Sequence, residues 1–319
     1  MERSGRGRFL RWAASSRGRH QAVGAVLRRA APILPRKPAP EEPVFILGSP
    51  RSGTTMLFQL LDRSAQLSSL GKGSQFIWEL FHHTEGVGFA SHVVGPEDIT
   101  ERERRVINWA IHRLSGERRY LDKFPRNCLR AEYLHAMFPS AWFIPIVRDG
   151  RAAVSSLITG WQTAAKFGRG TNLPCRLSID GYEGANWKFL VPPGWESFVS
   201  GRTLAEVCAF QWRAANEAIL RSKERIGSTR WVEVKYEDVL ASPEETVTRL
   251  FHDIGLSPEP DVLAWSGSLD RHVTRTAVTA PRKDKWRQEH PKEIEAIMPM
   301  ISPMLERLGY TTEQARQPG

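Results

Sequence analysis

The sequence contains few cysteines and no long apolar run. Its three cysteines, Cys128, Cys175 and Cys208, form neither a C-x-x-C pair nor a spacing typical of zinc ligands. This pattern argues against a disulfide framework and a metal site, and it is typical of a reducing compartment. No stretch of about 18 apolar residues is present, so a membrane span is not expected. The basic N-terminus lacks the apolar core of a secretory signal, and we expect a cytoplasmic location.

A basic excess is also lacking outside the first 40 residues. That segment contains ten Arg or Lys residues and one Glu, so it holds nine of the ten net positive charges of the chain. Because the remainder is nearly neutral, we expect no nucleic acid as a partner. The segment ends in a Pro-rich run, which predicts a flexible basic arm over 1–40 in front of a single domain over 41–319.

Apolar residues lie between the arginines of the arm, namely Phe9, Leu10, Trp12, Val23, Val26 and Leu27. On one face of a helix they would favour a weak peripheral membrane contact. A solvated tail with residual helix is the interpretation we favour. A basic protein without enzymatic activity, attached through this arm to a nucleic acid or a membrane, is one alternative function for the chain.

From residue 43 onward, short β-branched runs alternate with segments of helical period. This pattern predicts an α/β protein of three layers, with a mostly parallel central sheet flanked by helices. Strands are predicted at 44–47, 120–122, 142–147 and 231–234, and helices at about 54–63, 100–114, 150–161, 204–225, 243–253 and 291–308. Pro145 cannot donate to a ladder and favours an edge or a bulge for its strand. The stretch from 162 to 202 has weak periodicity and is predicted as a long loop.

An apolar strand, a loop bounded by glycines and a helix start follow one another over residues 44–55. The G-x-x-x-x-G spacing from Gly48 to Gly53 predicts a P-loop-like nucleotide-binding fold, in which loop amides and a helix N-terminus face a phosphate. Position 54 is threonine where an ATP-dependent kinase needs lysine, and the cation lies inside the loop at Arg51. The residues predicted to bind nucleotide here are Ser49, Pro50, Arg51, Ser52, Gly53, Thr54 and Thr55.

A second motif, I-V-R-D-G-R-A-A-V-S-S, lies about 100 residues later. Its Arg148 ends a predicted strand, and Ser156 lies eight residues on, in the following helix. An arginine can hold a phosphate with two parallel bonds, and a serine two turns along the helix can point to the same group. The two motifs in this order resemble those of the sulfotransferase family that uses 3′-phosphoadenosine 5′-phosphosulfate (PAPS), whose phosphosulfate loop reads [K/R]-S-G-T-[T/S].

The resemblance implies PAPS as the donor, 3′,5′-ADP as the product and no required metal. It implies that Arg148 and Ser156 hold the 3′-phosphate, while Arg51 and the strand-end Lys123 stabilise the transferred group and the leaving oxygen. In V-K-Y-E-D-V, Tyr236 matches a family tyrosine near the adenine. In R-K-D-K-W-R, Lys285 and Trp286 match a late element that closes over the nucleotide.

The general base is harder to place, because the chain departs from two branches of the family. Pro125 stands where the small-molecule branch has a histidine, and the segment 71–75 lacks the glutamate of the carbohydrate and protein-tyrosine branches. Glu79 is our first candidate, followed by His82 and then His83.

The acceptor is expected to be a hydroxyl or an amine on a carbohydrate, a small molecule or a peptide. An ATP-dependent small-molecule kinase of P-loop type is the alternative enzyme. The missing lysine at position 54 and the Arg148–Ser156 pair argue against it.

Overall fold

The computed structural model describes residues 17–71, 75–82, 89–163, 170–269 and 285–311. Five parallel strands form the central sheet in the order β2-β3-β1-β4-β7. They are β1 (Val44–Leu47), β2 (Leu67–Ser68), β3 (Arg119–Lys123), β4 (Trp142–Val147) and β7 (Val234–Lys235). A separate antiparallel pair consists of β5 (Thr171–Ile179) and β6 (Tyr182–Trp187).

Helices connect the strands. They are α1 (Arg17–Ala30), α2 (Thr54–Leu61), α3 (Gln75–Trp78), α4 (Glu101–Ser115), α5 (Ala131–Met137), α6 (Gly150–Gln162), α7 (Trp195–Phe198), α8 (Leu204–Ile226), α9 (Tyr236–Ala241), α10 (Pro243–Asp253), α11 (Pro260–Ser266), α12 (Trp286–Glu289) and α13 (Pro291–Arg307). Short 3-10 helices occur at Ala31–Ile33, Pro96–Asp98 and Pro125–Leu129. Within the described ranges, none of the helices has the length and apolarity that a membrane crossing requires.

The first strand is buried on both faces, as the sequence predicts for a three-layer protein. Phe45 and Leu47 pack into one apolar cluster with α4 and α5, whereas Val44 and Ile46 pack into another with α2 and α10. Because neighbouring residues of a strand point to opposite faces, helices must cover both sides of the sheet. The predicted α/β fold with a mostly parallel sheet is therefore confirmed.

Pro145 lies in an interior strand, so of the two predicted positions, an edge or a bulge, the edge is wrong. Strand β4 pairs with β1 on one side and with β7 on the other. The backbone N–H of Phe143 donates to the Arg230 carbonyl, and the Phe143 carbonyl accepts from the N–H of Val232, each at 2.9 Å. Both backbone groups of Phe143 thus face the β7 side. Because backbone groups two residues apart in a strand face the same neighbour, the backbone of Pro145 also faces the β7 side. The ladder is interrupted there, and the predicted strand 231–234 is an isolated bridge at Trp231 followed by β7.

The stretch predicted as one long loop contains regular structure. Residues 171–187 form the β5–β6 hairpin, and α7 follows it. Trp161, Trp187, Trp195 and Trp212 are each no more than 2% exposed and lie in one apolar cluster with α6 and α8. These tryptophans therefore attach the hairpin to the domain as core residues. The two strands were not predicted because they contain few β-branched residues.

The second half of the basic arm is docked on the domain, contrary to the flexible segment predicted. Val23, Leu27 and Ala31 are buried in the cluster that contains α4. Side chains from one face of α4 also bind arm carbonyls: Arg102 that of Arg28, Arg105 that of Pro32, Asn108 that of Lys37 and His112 that of Pro38. Since Val23 and Leu27 point into the domain, they cannot form the apolar face of a membrane helix. Phe9, Leu10 and Trp12 lie outside the described residues.

Candidate functional site

The loop after β1 has the backbone shape of an anion-binding nest. Arg51 and Gly53 have φ angles of 72° and 95°, separated by one residue of ordinary conformation. Such alternation turns successive N–H groups toward one point. The N–H of Ser52 also bonds to the carbonyl of Ser49 at 3.1 Å. A non-glycine residue such as Arg51 in the left-handed conformation costs about 1 to 3 kcal/mol of conformational free energy, and such strain is typical of functional sites.

Helix α2 begins directly after this loop with its first amides uncapped by a side chain. Its N-cap is Gly53, and Thr54 is the first helical residue. A Cβ at position 53 would collide with the Tyr236 ring, so close approach as well as the positive φ requires glycine. The uncapped amides carry the positive end of the helix dipole toward the loop.

The two predicted motifs meet at this loop. The Nε of Arg51 donates to the Ser156 hydroxyl at 3.0 Å, and an Nη of Arg148 donates to the Arg51 carbonyl at 2.9 Å. The Arg148 guanidinium lies 4.4 Å from the centre of the Tyr236 ring. The structure thus brings together four residues that the sequence analysis assigned to the nucleotide, from the loop, the end of β4, α6 and α9.

The position of the loop follows from the strand order. Strands β2 and β3 lie on one side of β1, and β4 lies on the other. The crevice beyond the ends of β1 and β4 is therefore a topological switch point, where ligands bind in open α/β sheets.

Two cations lie close together in this crevice. Burial, followed by the nearby charge of Arg148, lowers the pKa of Arg51 to about 10. Nε of Arg148 is buried and has no hydrogen-bond partner among the described residues. Two close guanidinium groups repel each other, and an anion between them would remove this repulsion.

Lys123 lies beside the start of α2. It ends β3, its side chain is largely buried, and its Nζ donates to the Thr55 hydroxyl at 3.2 Å. Because β3 is the other neighbour of β1, its carboxyl end lies at the same edge of the sheet as the loop. The lysine is therefore placed near the loop, as the sequence analysis expects.

The late Lys285–Trp286 element packs beside the helix that carries Ser156. Trp286 is buried, and the Arg151 guanidinium lies 5.4 Å from its ring centre. Lys285 forms an ion pair of 2.7 Å with Glu289. Contact of the pair with a nucleotide stays a prediction, and residues 282–284 of this element lie outside the described residues.

The two described candidates for the general base occupy different surroundings. Glu79 forms an ion pair with Arg126 and accepts a 2.8 Å hydrogen bond from Gln75. His82 lies 2.8 Å from the buried carboxylate of Glu103. His83 lies outside the described residues. Both Glu79 oxygens thus have partners.

A buried polar network around His92 was missed by the sequence analysis. Arg126 donates to the Thr171 hydroxyl at 3.0 Å, and that hydroxyl lies 3.2 Å from Nε2 of His92. Burial, followed by the charges of Arg126 and Arg130, holds the pKa of His92 well below its usual value. The network joins the Glu79 ion pair to the first residue of the hairpin. Arg126 lies in the same D-K-F-P-R-N segment as Lys123, so its position was the available signal.

These features define an α/β protein with a P-loop-like loop at a switch point of its parallel sheet. Residues 43–183 match the model of the sulfotransferase family. This match supports a sulfotransferase family domain in that part of the chain.

Known sulfotransferases resemble the chain beyond the matched region. Protein-tyrosine sulfotransferase A of Caenorhabditis elegans is 24% identical over 300 residues, which cover 84% of this chain and 67% of that protein. Protein-tyrosine sulfotransferase 2 of Gallus gallus is 25% identical over 289 residues, which cover 84% and 69%. The crystal structure of a sulfotransferase from Mycobacterium avium superposes with a TM-score of 0.54 at 16% identity, covering 89% of this chain and 80% of that one. At this identity the structural likeness supports the fold.

Proposed function

We propose that the protein transfers a sulfuryl group from PAPS to a hydroxyl or amine acceptor. The observation that carries this proposal is the meeting of Arg51, Arg148 and Ser156 at the nest-shaped loop. A family domain makes sulfuryl transfer the expected reaction, and these residues supply the charge that a nucleotide donor with two phosphate positions needs.

The residues present fit such a donor without a metal ion. Loop amides and Arg51 would hold the 5′-phosphosulfate, and the buried Nε of Arg148, which has no partner among the described residues, would donate to the 3′-phosphate. In ATP-dependent transferases, magnesium supplies the positive charge that these groups supply here. We therefore propose metal-free binding of PAPS and of its product 3′,5′-ADP.

The chemistry is an in-line displacement at sulfur. A bond forms between the acceptor oxygen or nitrogen and the sulfur, while the bond from sulfur to the bridging phosphate oxygen breaks. Lys123, beside Thr55, is assigned to stabilise the negative charge on that leaving oxygen. The acceptor proton goes to a general base, for which Glu79 stays the first candidate and His82 the second.

For the acceptor we propose first a tyrosine hydroxyl in a peptide, because two similar proteins are named as protein-tyrosine sulfotransferases. At 24% and 25% identity, carbohydrates and small molecules belong in the same screen. We also propose a cytoplasmic location. A peripheral membrane contact of residues 1–40 is a weaker proposal, since Val23 and Leu27 are buried.

The test is calorimetry with 3′,5′-ADP in the absence of metal, followed by an acceptor screen with radiolabelled PAPS. Micromolar binding without magnesium and label transfer to one acceptor class are the expected results. Binding of ATP with magnesium, and none of 3′,5′-ADP, would instead support the kinase alternative.

A further inference from the structure

Three consecutive residues, 235–237, connect Tyr310 near the C-terminus to Arg148 and Asp149. The Nζ of Lys235 lies 5.0 Å from the centre of the Tyr310 ring. The next residue, Tyr236, packs its ring against the Arg148 guanidinium. Neighbouring side chains of one segment therefore contact Tyr310 and Arg148, the proposed phosphate-binding arginine.

Glu237, the third residue, joins these two ends through its carboxylate. Its Oε1 accepts a 3.1 Å hydrogen bond from the backbone N–H of Asp149, and its Oε2 accepts a 2.7 Å bond from the Tyr310 hydroxyl. The N–H of Asp149 belongs to the peptide group that follows Arg148. Holding this peptide restricts the ψ angle of Arg148 and hence the direction in which its side chain leaves the strand.

The Tyr310 hydroxyl is a constant donor in this arrangement. Burial, followed by the charge of Glu237, raises the pKa of Tyr310 far above its usual value. The phenol therefore keeps its proton over the working pH range. A neutral hydroxyl that donates to a carboxylate forms one of the stronger hydrogen bonds in proteins.

We propose that Tyr310 and Glu237 are positioning residues for the contact between Arg148 and the 3′-phosphate of the nucleotide. This inference rests on the proposed function, which supplies the 3′-phosphate. Without the Tyr310 hydroxyl, Oε2 of Glu237 loses its donor, and the carboxylate is able to turn away from Asp149. Arg148 then samples more directions and binds the phosphate less well.

The test compares Tyr310→Phe with the wild-type protein by calorimetry against 3′,5′-ADP and 5′-AMP, without metal. Loss of one hydrogen bond to a carboxylate should weaken 3′,5′-ADP about fivefold to tenfold and leave 5′-AMP within about twofold. Glu237→Gln, which removes the charge and keeps the shape, should also weaken the binding of 3′,5′-ADP relative to that of 5′-AMP. The matched control is Tyr182→Phe, which removes a hydroxyl bonded to the Asn186 carbonyl in the hairpin.

The outcomes separate this inference from the proposed function. If the wild-type protein prefers 3′,5′-ADP and Tyr310→Phe keeps that preference unchanged, the positioning role is wrong and the proposed function stands. Equal weakening of both nucleotides also overturns the positioning role, because it indicates general loosening. If the wild-type protein binds the two nucleotides equally, both proposals fall.

Discussion

The Nε of Arg51 donates a hydrogen bond of 3.0 Å to the hydroxyl of Ser156, which lies 105 residues further along the chain. The bond is possible because β1 and β4 are parallel neighbours, so the loop after one and the helix after the other begin at the same edge. Arg148 adds a bond to the Arg51 carbonyl and holds the loop in its left-handed conformation. The cations of the site are thus fixed by one another, and their like charges repel each other.

Arg148→Ala should remove the discrimination between nucleotides with and without a 3′-phosphate. Loss of a charge-assisted, bidentate contact should weaken 3′,5′-ADP by about 2 to 4 kcal/mol and bring its affinity level with that of 5′-AMP. Metal-free calorimetry measures both affinities. Arg202→Ala, which breaks an exposed pair with Glu206, is the control and should change neither. A retained preference for 3′,5′-ADP would show that another residue holds the 3′-phosphate.

Lys123→Ala should lower turnover by about 100-fold while leaving the affinity for 3′,5′-ADP within a few-fold. The reason is that a cation at the leaving oxygen acts chiefly in the transition state. Initial rates with saturating PAPS, together with calorimetry of the product nucleotide, separate the two effects. Lys223→Ala serves as control, since this lysine pairs with Glu233 at the surface. Unchanged turnover in Lys123→Ala would make the lysine structural.

The meeting of the loop with Arg148 and Ser156 could be predicted from sequence because these residues lie in short, contiguous motifs. The loop needs Gly53 and Arg51 at fixed spacing, and the pair Arg148 and Ser156 needs a strand end followed by two helical turns. Both requirements are local. The α/β layers were predictable for a similar reason, since buried strands and amphipathic helices have different periods.

The remainder depends on contacts that no local pattern encodes. Tyr310 reaches Glu237 from 73 residues away, and nothing around either residue marks the pairing. Pro145 is tolerated inside the sheet because its missing N–H coincides with a break in the neighbouring strand. The arm was predicted to be flexible from its charge, yet α4 supplies partners for its carbonyls.

Deletion of residues 1–40 should destabilise the protein, although the sequence alone predicts a flexible arm over this segment. The deletion removes Val23 and Leu27 from the core, and burial of each such side chain contributes about 1.5 to 3 kcal/mol. We expect a loss of about 3 kcal/mol or more in the free energy of unfolding, measured by urea denaturation. Deletion of 1–16 leaves every contact described above in place and is the control. Equal stability of both truncated proteins would contradict the docking of the arm.

The buried His92 should make the protein sensitive to acid. Its pKa is depressed in the folded state, so below pH 6.5 the unfolded chain binds a proton that the folded one does not. Stability should therefore fall as the pH drops below 6.5, by up to about 1.4 kcal/mol per pH unit from this group. Urea midpoints of the wild-type protein and His92→Gln at pH 5 to 7.5 test this slope. His252→Gln, at an exposed histidine, should keep the wild-type slope. An equal slope in His92→Gln would refute the assignment.

Glu79→Gln tests whether the first candidate for the general base removes the acceptor proton. The substitution keeps the shape of the side chain and an oxygen for Arg126, but it removes basicity. If Glu79 is the base, turnover should fall by about 100-fold, nucleotide affinity should stay within a few-fold, and the acidic limb of the pH profile should change.

His82→Asn supplies the contrast, because His82 lies beside the buried Glu103. With Glu79 as the base, His82→Asn should keep most of its turnover. The reverse result, a nearly silent Glu79→Gln with an inactive His82→Asn, would reassign the proton to His82 and leave Glu79 as a partner of Arg126. Both variants must be measured with one identified acceptor, since the acceptor's own acidity decides how much a base contributes to the rate.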